Sequence, residues 1–149
     1  MNRNIALIAL LCWIMANTAT AGTYKWTSGW GMGVSEHLVD DGNGNELNIS
    51  CPDDEEKYIS AYATIAGKNY ASHSDTGFDV IVDGERYHNP FYTECRVCAA
   101  NFQEFWPALR KANNLFITAD GQTVRLPVQD IKKVLPPLDS HKSTCRYGW

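Results

Sequence analysis

Residues 78–98, FDVIVDGERYHNPFYTECRVC, decide the fold class of this chain. Phe78, Val80 and Val82 occupy alternate positions, so they share one face of an extended strand. Asp83-Gly84 is a dipeptide typical of hairpin turns, and a second short strand follows it. The stretch ends in two cysteines with two residues between them, directly before a helical pattern. It therefore predicts an antiparallel hairpin that leads into a helix.

The chain before this stretch has the pattern of further hairpins. Residues 22–33 are rich in Gly and Trp and suit an opening strand. Residues 34–39 and 46–50 flank a loop of Gly, Asn and Asp, which predicts a hairpin. Residues 58–66 are β-branched and aromatic, and Gly67-Lys68 turns them into the next segment. All of these connections are short and local.

The chain after this stretch predicts helix, hairpin, helix. Residues 99–113 carry apolar side chains at helical spacing, with Asn101 as the expected N-cap. Pro107 lies inside this span, so the helix either starts there or is kinked there. Residues 115–126 form a hairpin about an Asp-Gly turn. Residues 128–135 form a short helix that a pair of prolines ends.

These elements predict one domain of the α+β class that is mostly β. About seven strands joined by local turns favour an antiparallel sandwich or a small barrel, with two short helices and disulfide bracing. The length from residue 22 to residue 149 suits a single domain. The chain has 17 acidic and 13 basic residues, a balance that argues against nucleic acid or an anionic membrane surface as a partner.

Residues 1–21 have the features of a secretory signal peptide. A start with one arginine, an apolar run over residues 5–16 and an Ala-x-Ala end predict cleavage after Ala21. The apolar run is shorter than the roughly 20 residues that a membrane span needs. The sequence therefore predicts a periplasmic or secreted protein without a membrane span.

Four cysteines remain after the signal peptide, which would remove Cys12: Cys51, Cys95, Cys98 and Cys145. An even number of cysteines in an exported chain predicts disulfides, and four cysteines allow three pairings. The central pair, Cys95 and Cys98, suits a structural disulfide, a redox-active pair or metal ligands. We expect the structural disulfide, because the preceding strand belongs to a hairpin and no βαβ pattern accompanies the pair.

Residues 78–138 show the order hairpin, cysteine pair, helix, hairpin and short apolar helix. This order resembles the C-terminal half of the invasion-associated locus B family of small exported bacterial proteins. The matching positions are Val82-Asp83-Gly84, Cys95 and Cys98, Leu109-Arg110, and residues 124–138. The resemblance implies a periplasmic or surface protein with a small β-barrel and an interaction role, without a known catalytic site.

Aromatic residues near the start of the mature chain are the candidate binding site. Tyr24, Trp26 and Trp30, with glycines around them, form either an exposed patch for a partner or part of the core. Tyr87 and His88 in the central hairpin are further candidates. No catalytic residue, metal ligand or cofactor is predicted.

The sequence thus favours a non-enzymatic binding or accessory protein that acts through protein–protein contacts at the cell envelope. A thiol–disulfide oxidoreductase using Cys95 and Cys98 is the first alternative. An inhibitor or immunity-type protein is the second. The sequence leaves the oligomeric state and the identity of the partner open.

Overall fold

The computed structural model describes residues 22–149, so the predicted signal peptide and Cys12 lie outside the described residues. Nine strands and two helices make up this part, and the strands form two antiparallel sheets. This confirms the predicted class, mostly β with two short helices. The strand number is nine, against the expected seven. Within residues 22–149, neither helix has the length and apolar character that crossing a membrane requires.

The first sheet has five strands in the order of the chain. Its buried side chains alternate along each inner strand; in the strand Glu46–Pro52 they are Leu47, Ile49 and Cys51. This alternation is what a sheet with one covered face requires. The strands are β1 (Thr27–Gly31), β2 (Val34–Asp40), β3 (Glu46–Pro52), β4 (Ser60–Ile65) and β5 (Lys68–Ala71).

The second sheet has four strands: β6 (Asp79–Val82), β7 (Glu85–Tyr87), β8 (Leu115–Ala119) and β9 (Gln122–Leu126), in the order β7-β6-β8-β9. The Asp83-Gly84 turn joins β6 to β7 and is also hydrogen-bonded to the residues just before β8. The backbone N–H groups of Asn114 and Asn113 donate to the Asp83 carboxylate, at 2.8 and 3.1 Å. These bonds, Asn114 first, lower the pKa of Asp83 below its ordinary value.

The first helix, α1 (Arg96–Arg110), starts earlier than predicted. Its N-cap is Cys95, whose Sγ accepts a hydrogen bond from the Cys98 backbone N–H at 3.1 Å. The prediction of Asn101 as the cap was therefore wrong, because the sulfur already satisfies a free N–H of the first turn. Pro107 lies inside the helix and does not start it.

The second helix, α2 (Ile131–Val134), is shorter than the predicted 128–135. Asp130 precedes it with a φ of 63°, in the left-handed region, so the helix begins only after this residue. The chain then runs extended past Leu135.

The two sheets pack face to face, with β4 against β8 and β9. Helix α1 covers one end of the shared core with its aromatic side chains. Phe91 packs between Phe78 and Phe105, with ring centroids 6.0 and 5.2 Å away. The largest fully buried side chains on α1 are Phe102, Phe105, Trp106 and Leu109.

The disulfides decide among the three possible pairings. Cys51 in β3 is bonded to Cys145 near the C-terminus, and Cys95 is bonded to Cys98 in the first turn of α1. The first bond joins residues 94 positions apart and attaches the C-terminal segment to the five-stranded sheet. The expectation that all four cysteines form disulfides agrees with this arrangement.

Candidate functional site

The aromatic residues predicted as a patch have different environments. Trp26 is 1% exposed, and its indole N–H donates to the Pro127 carbonyl at 3.0 Å. Its burial removes it from any exposed binding surface, because the start of β1 lies over the core. Tyr24 and Trp30 are exposed, at 57% and 69%. Trp30 in β1 is therefore exposed to solvent, although Trp26, four residues earlier, lies in the core.

Tyr87 and His88 also have different environments. Tyr87 is buried against Phe105, with ring centroids 5.1 Å apart, so it is a core residue. His88 is exposed and its Nδ1 lies 3.1 Å from an Asp79 carboxylate oxygen, which Arg86 also contacts at 3.1 Å. This exposed network belongs to the second sheet, whereas Trp30 belongs to the first.

An open groove of about 400 Å³ lies beside Trp30, and we call it the edge groove. One wall is the end of the first sheet, and the other consists of α2 and the C-terminal segment. Its volume falls in the range of ligand sites, about 300–1,000 Å³. The lining residues are Ser28, Gly29, Trp30, Ser35, His37, Lys133, Val134, Pro136 and Lys142.

Strand β1 presents a free backbone edge next to this groove. It is the first strand of its sheet, and among the described strands only β2 pairs with it. The Trp26 N–H bonds the Gln129 carbonyl at 2.9 Å, but residues 28–31 have no further backbone partner within the described part of the chain. A Cβ added at Gly29 or Gly31 would meet no atom within 4 Å, so the face of β1 opposite Trp30 is also uncovered.

The floor of the groove contains a buried histidine, His37, which the sequence analysis did not single out. His37 lies opposite Ser28 in the β1–β2 register and is 6% exposed. Its Nε2 lies 3.9 Å from the Cys145 Sγ, and its buried Nδ1 has no hydrogen-bond partner among residues 22–149. Burial lowers the pKa of His37, so the imidazole is neutral at pH 7.

His37, Cys51 and Cys145 form a cluster of potential metal ligands within 4.8 Å of one another. The two sulfur atoms are bonded to each other in this structure, so neither is available as a thiolate. The three side chains are therefore packed in the interior behind the groove, and the disulfide joins two of them. The Thr144 hydroxyl donates to the Cys51 carbonyl at 3.1 Å and holds the C-terminal segment in the same place.

The charges around the groove are positive. Lys133 and Lys142 line it and are exposed, and no Asp or Glu of residues 22–149 lines it. Neither lysine takes part in a salt bridge within residues 22–149. The Asp53 carboxylate accepts the Trp30 indole N–H at 3.1 Å. This positive wall belongs to a chain of net charge −4.

Cys95 and Cys98, at the start of α1, form a second candidate site. Both residues are partly exposed, and the intervening Arg96 and Val97 are exposed. The disulfide lies at the N-terminus of a 15-residue helix, where the helix dipole favours negative charge. The pair therefore lies where reactive cysteines are often found in proteins, at a helix N-terminus.

The comparisons with known proteins identify a family. The sequence model of the YfjT family matches residues 24–135. The uncharacterized protein YfjT of Escherichia coli (strain K12) is 32% identical over 130 residues, which cover 81% of this chain and 84% of that protein. No solved structure matches the chain.

These matches overturn the expected resemblance to the invasion-associated locus B family. Nothing in the matches points to that family, and the family match includes most of the N-terminal half. The prediction was wrong because an Asp-Gly turn, a cysteine pair and a Leu-Arg helix end are features that many small β proteins share.

Proposed function

The chain belongs to the YfjT family, and we propose that it is an exported, non-enzymatic binding protein that contacts a partner protein at the cell envelope. The observation that carries the proposal is the free edge of β1 beside the edge groove. An unpaired strand edge is a template for an extended segment of another chain. The exposed Trp30 supplies the kind of side chain that is enriched at protein interfaces.

Export is supported by two independent features. Residues 1–21 have the pattern of a secretory signal peptide, and the two disulfides suit an oxidising compartment. An inhibitor or an immunity-type protein would use the same surface, since those roles differ only in what the bound partner does. The periplasm of a Gram-negative bacterium is the compartment that we propose.

Site-specific photo-crosslinking in a Gram-negative host tests this proposal. A photoreactive amino acid replaces Trp30 in one variant and Tyr62 in the control, because Tyr62 is an exposed aromatic of the same sheet on β4. We expect the chain in the periplasmic fraction to begin at Gly22 and to form a discrete adduct only from position 30. Adducts of equal yield from both positions, or a chain that keeps Met1 in the cytosol, would contradict it.

A second candidate function is thiol–disulfide exchange by Cys95 and Cys98. One observation favours it: the Cys98 N–H donates to the Cys95 Sγ at 3.1 Å, a bond that would stabilise a Cys95 thiolate. In this reaction the two reduced thiols pass two electrons to a disulfide of the partner protein. The partner becomes a dithiol, and Cys95 and Cys98 return to the disulfide.

Equilibration of the exported protein in glutathione buffers, followed by alkylation and mass spectrometry, tests the exchange function. A redox-active pair becomes reduced at a cytosol-like glutathione poise while Cys51–Cys145 stays oxidised. The Cys95 thiol should then titrate below the ordinary value of about 8.5. Resistance of both disulfides to glutathione would rule the exchange function out.

A further inference from the structure

The free edge of β1 lacks the features that usually protect an edge strand from pairing. Residues 28–31 read Ser-Gly-Trp-Gly, without a charge or a proline. The covered part of the edge ends at Trp26, which bonds the Gln129 carbonyl. An extended segment can therefore continue along the edge from that point as an added strand.

The side of the groove that faces such a segment is positive. Side chains of an added strand point alternately to opposite faces, about 6.6–7 Å apart on one face. Those on the inner face meet Lys133 and Lys142, which have no salt bridge among the described residues. Carboxylates are the groups that complement two ammonium groups in a groove without acidic lining.

We propose that the edge groove binds an extended, acidic segment of a partner protein, which pairs with residues 28–31 of β1 and places its carboxylates against Lys133 and Lys142. This assignment rests on the proposed binding function and specifies its ligand. The Trp30 indole flanks the segment and supplies apolar contact. The overall acidity of the chain disfavours acidic segments elsewhere on the surface, so the groove also provides specificity.

An array of random heptapeptides, probed with the disulfide-bonded chain from residue 22 to residue 149, tests the assignment. We expect Asp and Glu to be enriched in the bound peptides. The best binder should shift the backbone amide resonances of residues 28–31 in ¹⁵N-labelled protein. The Lys133→Glu/Lys142→Glu variant should bind this peptide about tenfold more weakly, because attraction at two positions becomes repulsion. Lys57→Glu/Lys111→Glu, which changes two exposed lysines outside the groove, is the matched control and should bind unchanged.

The outcomes separate the two proposals. Peptides that shift residues 28–31 without acidic enrichment, or that bind the Lys133→Glu/Lys142→Glu variant unchanged, overturn the acidic assignment and leave the binding function standing. Peptides that bind only outside the groove, or no bound peptide at all, overturn both. Concentration-dependent dimers that broaden residues 28–31 without peptide would identify a second copy of the chain as the occupant and overturn the assignment.

Discussion

Replacing Cys51 and Cys145 together by alanine is expected to lower the free energy of unfolding by about 4–5 kcal/mol. The bond closes a loop between residues 94 positions apart, and the entropy that such a bond removes from the unfolded chain grows with loop length. Both cysteines are also buried in the core, so the loss of their packing adds to the effect. Urea unfolding of the chain from residue 22, followed by tryptophan fluorescence, measures the change.

The matched control is Cys95→Ala/Cys98→Ala. This disulfide joins residues only 3 positions apart, so the same chain-entropy relation gives about 2 kcal/mol. Equal losses in the two double variants would show that loop closure does not dominate the stabilisation.

We also expect the Cys51→Ala/Cys145→Ala variant to lose peptide binding in the edge groove, because the bond holds the segment that carries Lys142 beside His37.

The hairpins were predictable because their turns are local. Asp83-Gly84 and Asp120-Gly121 each have both residues at positive φ, the requirement of a tight hairpin turn. The register then follows from the alternation of buried residues in the strands. The sequence therefore predicted the hairpins β2–β3, β4–β5, β6–β7 and β8–β9. It did not predict the turn between β1 and β2, because Met32-Gly33 lie inside the expected opening strand of residues 22–33. Nor did it predict how the sheets pack, which depends on contacts between distant residues.

Helix boundaries were less predictable because an unusual group caps α1. Sequence rules rank Asn, Asp, Ser and Thr as N-caps and led to Asn101. Here the Cys95 sulfur takes that role, and the disulfide to Cys98 holds it there. Helix α2 is shorter than predicted because Asp130 has a left-handed backbone conformation. That conformation could not be predicted, because Asp130 is not part of a recognisable turn motif in the sequence.

The candidate site was only partly predictable. Trp26 and Trp30 are four residues apart and share one face of an extended chain by the period of two. One is buried and the other exposed because the first sheet extends beyond the core at β1, and the sequence does not encode where the opposing layer ends. His37 reaches the groove from a segment about 100 residues away from Lys133 and Lys142, so no local pattern links them.

Trp106→Ala is expected to cost about 3–5 kcal/mol of folding free energy, the range for deleting a buried large aromatic side chain. Trp106 is fully buried in α1 and packs against Phe102, with ring centroids 5.4 Å apart. Its indole N–H donates to the Pro136 carbonyl at 2.9 Å, so the variant also leaves a carbonyl without its partner. The same substitution at the exposed Trp30 is the control, with an expected change within about 0.5 kcal/mol.

Trp106→Phe keeps part of the aromatic packing at this position and removes the hydrogen bond. Phenylalanine keeps a six-membered ring in the core but removes the five-membered ring and its N–H, so the Pro136 carbonyl loses its donor. We expect a loss of about 1–3 kcal/mol, smaller than in Trp106→Ala. Arg110 donates to the neighbouring Leu135 carbonyl at 2.7 Å and should keep α2 attached to α1. Because Pro136 lines the edge groove, the amide resonances of Lys133 and Val134 should shift in this variant. Unchanged resonances would mean that the Arg110 bond alone positions the groove wall, and that the Trp106 indole contributes to stability without shaping the site.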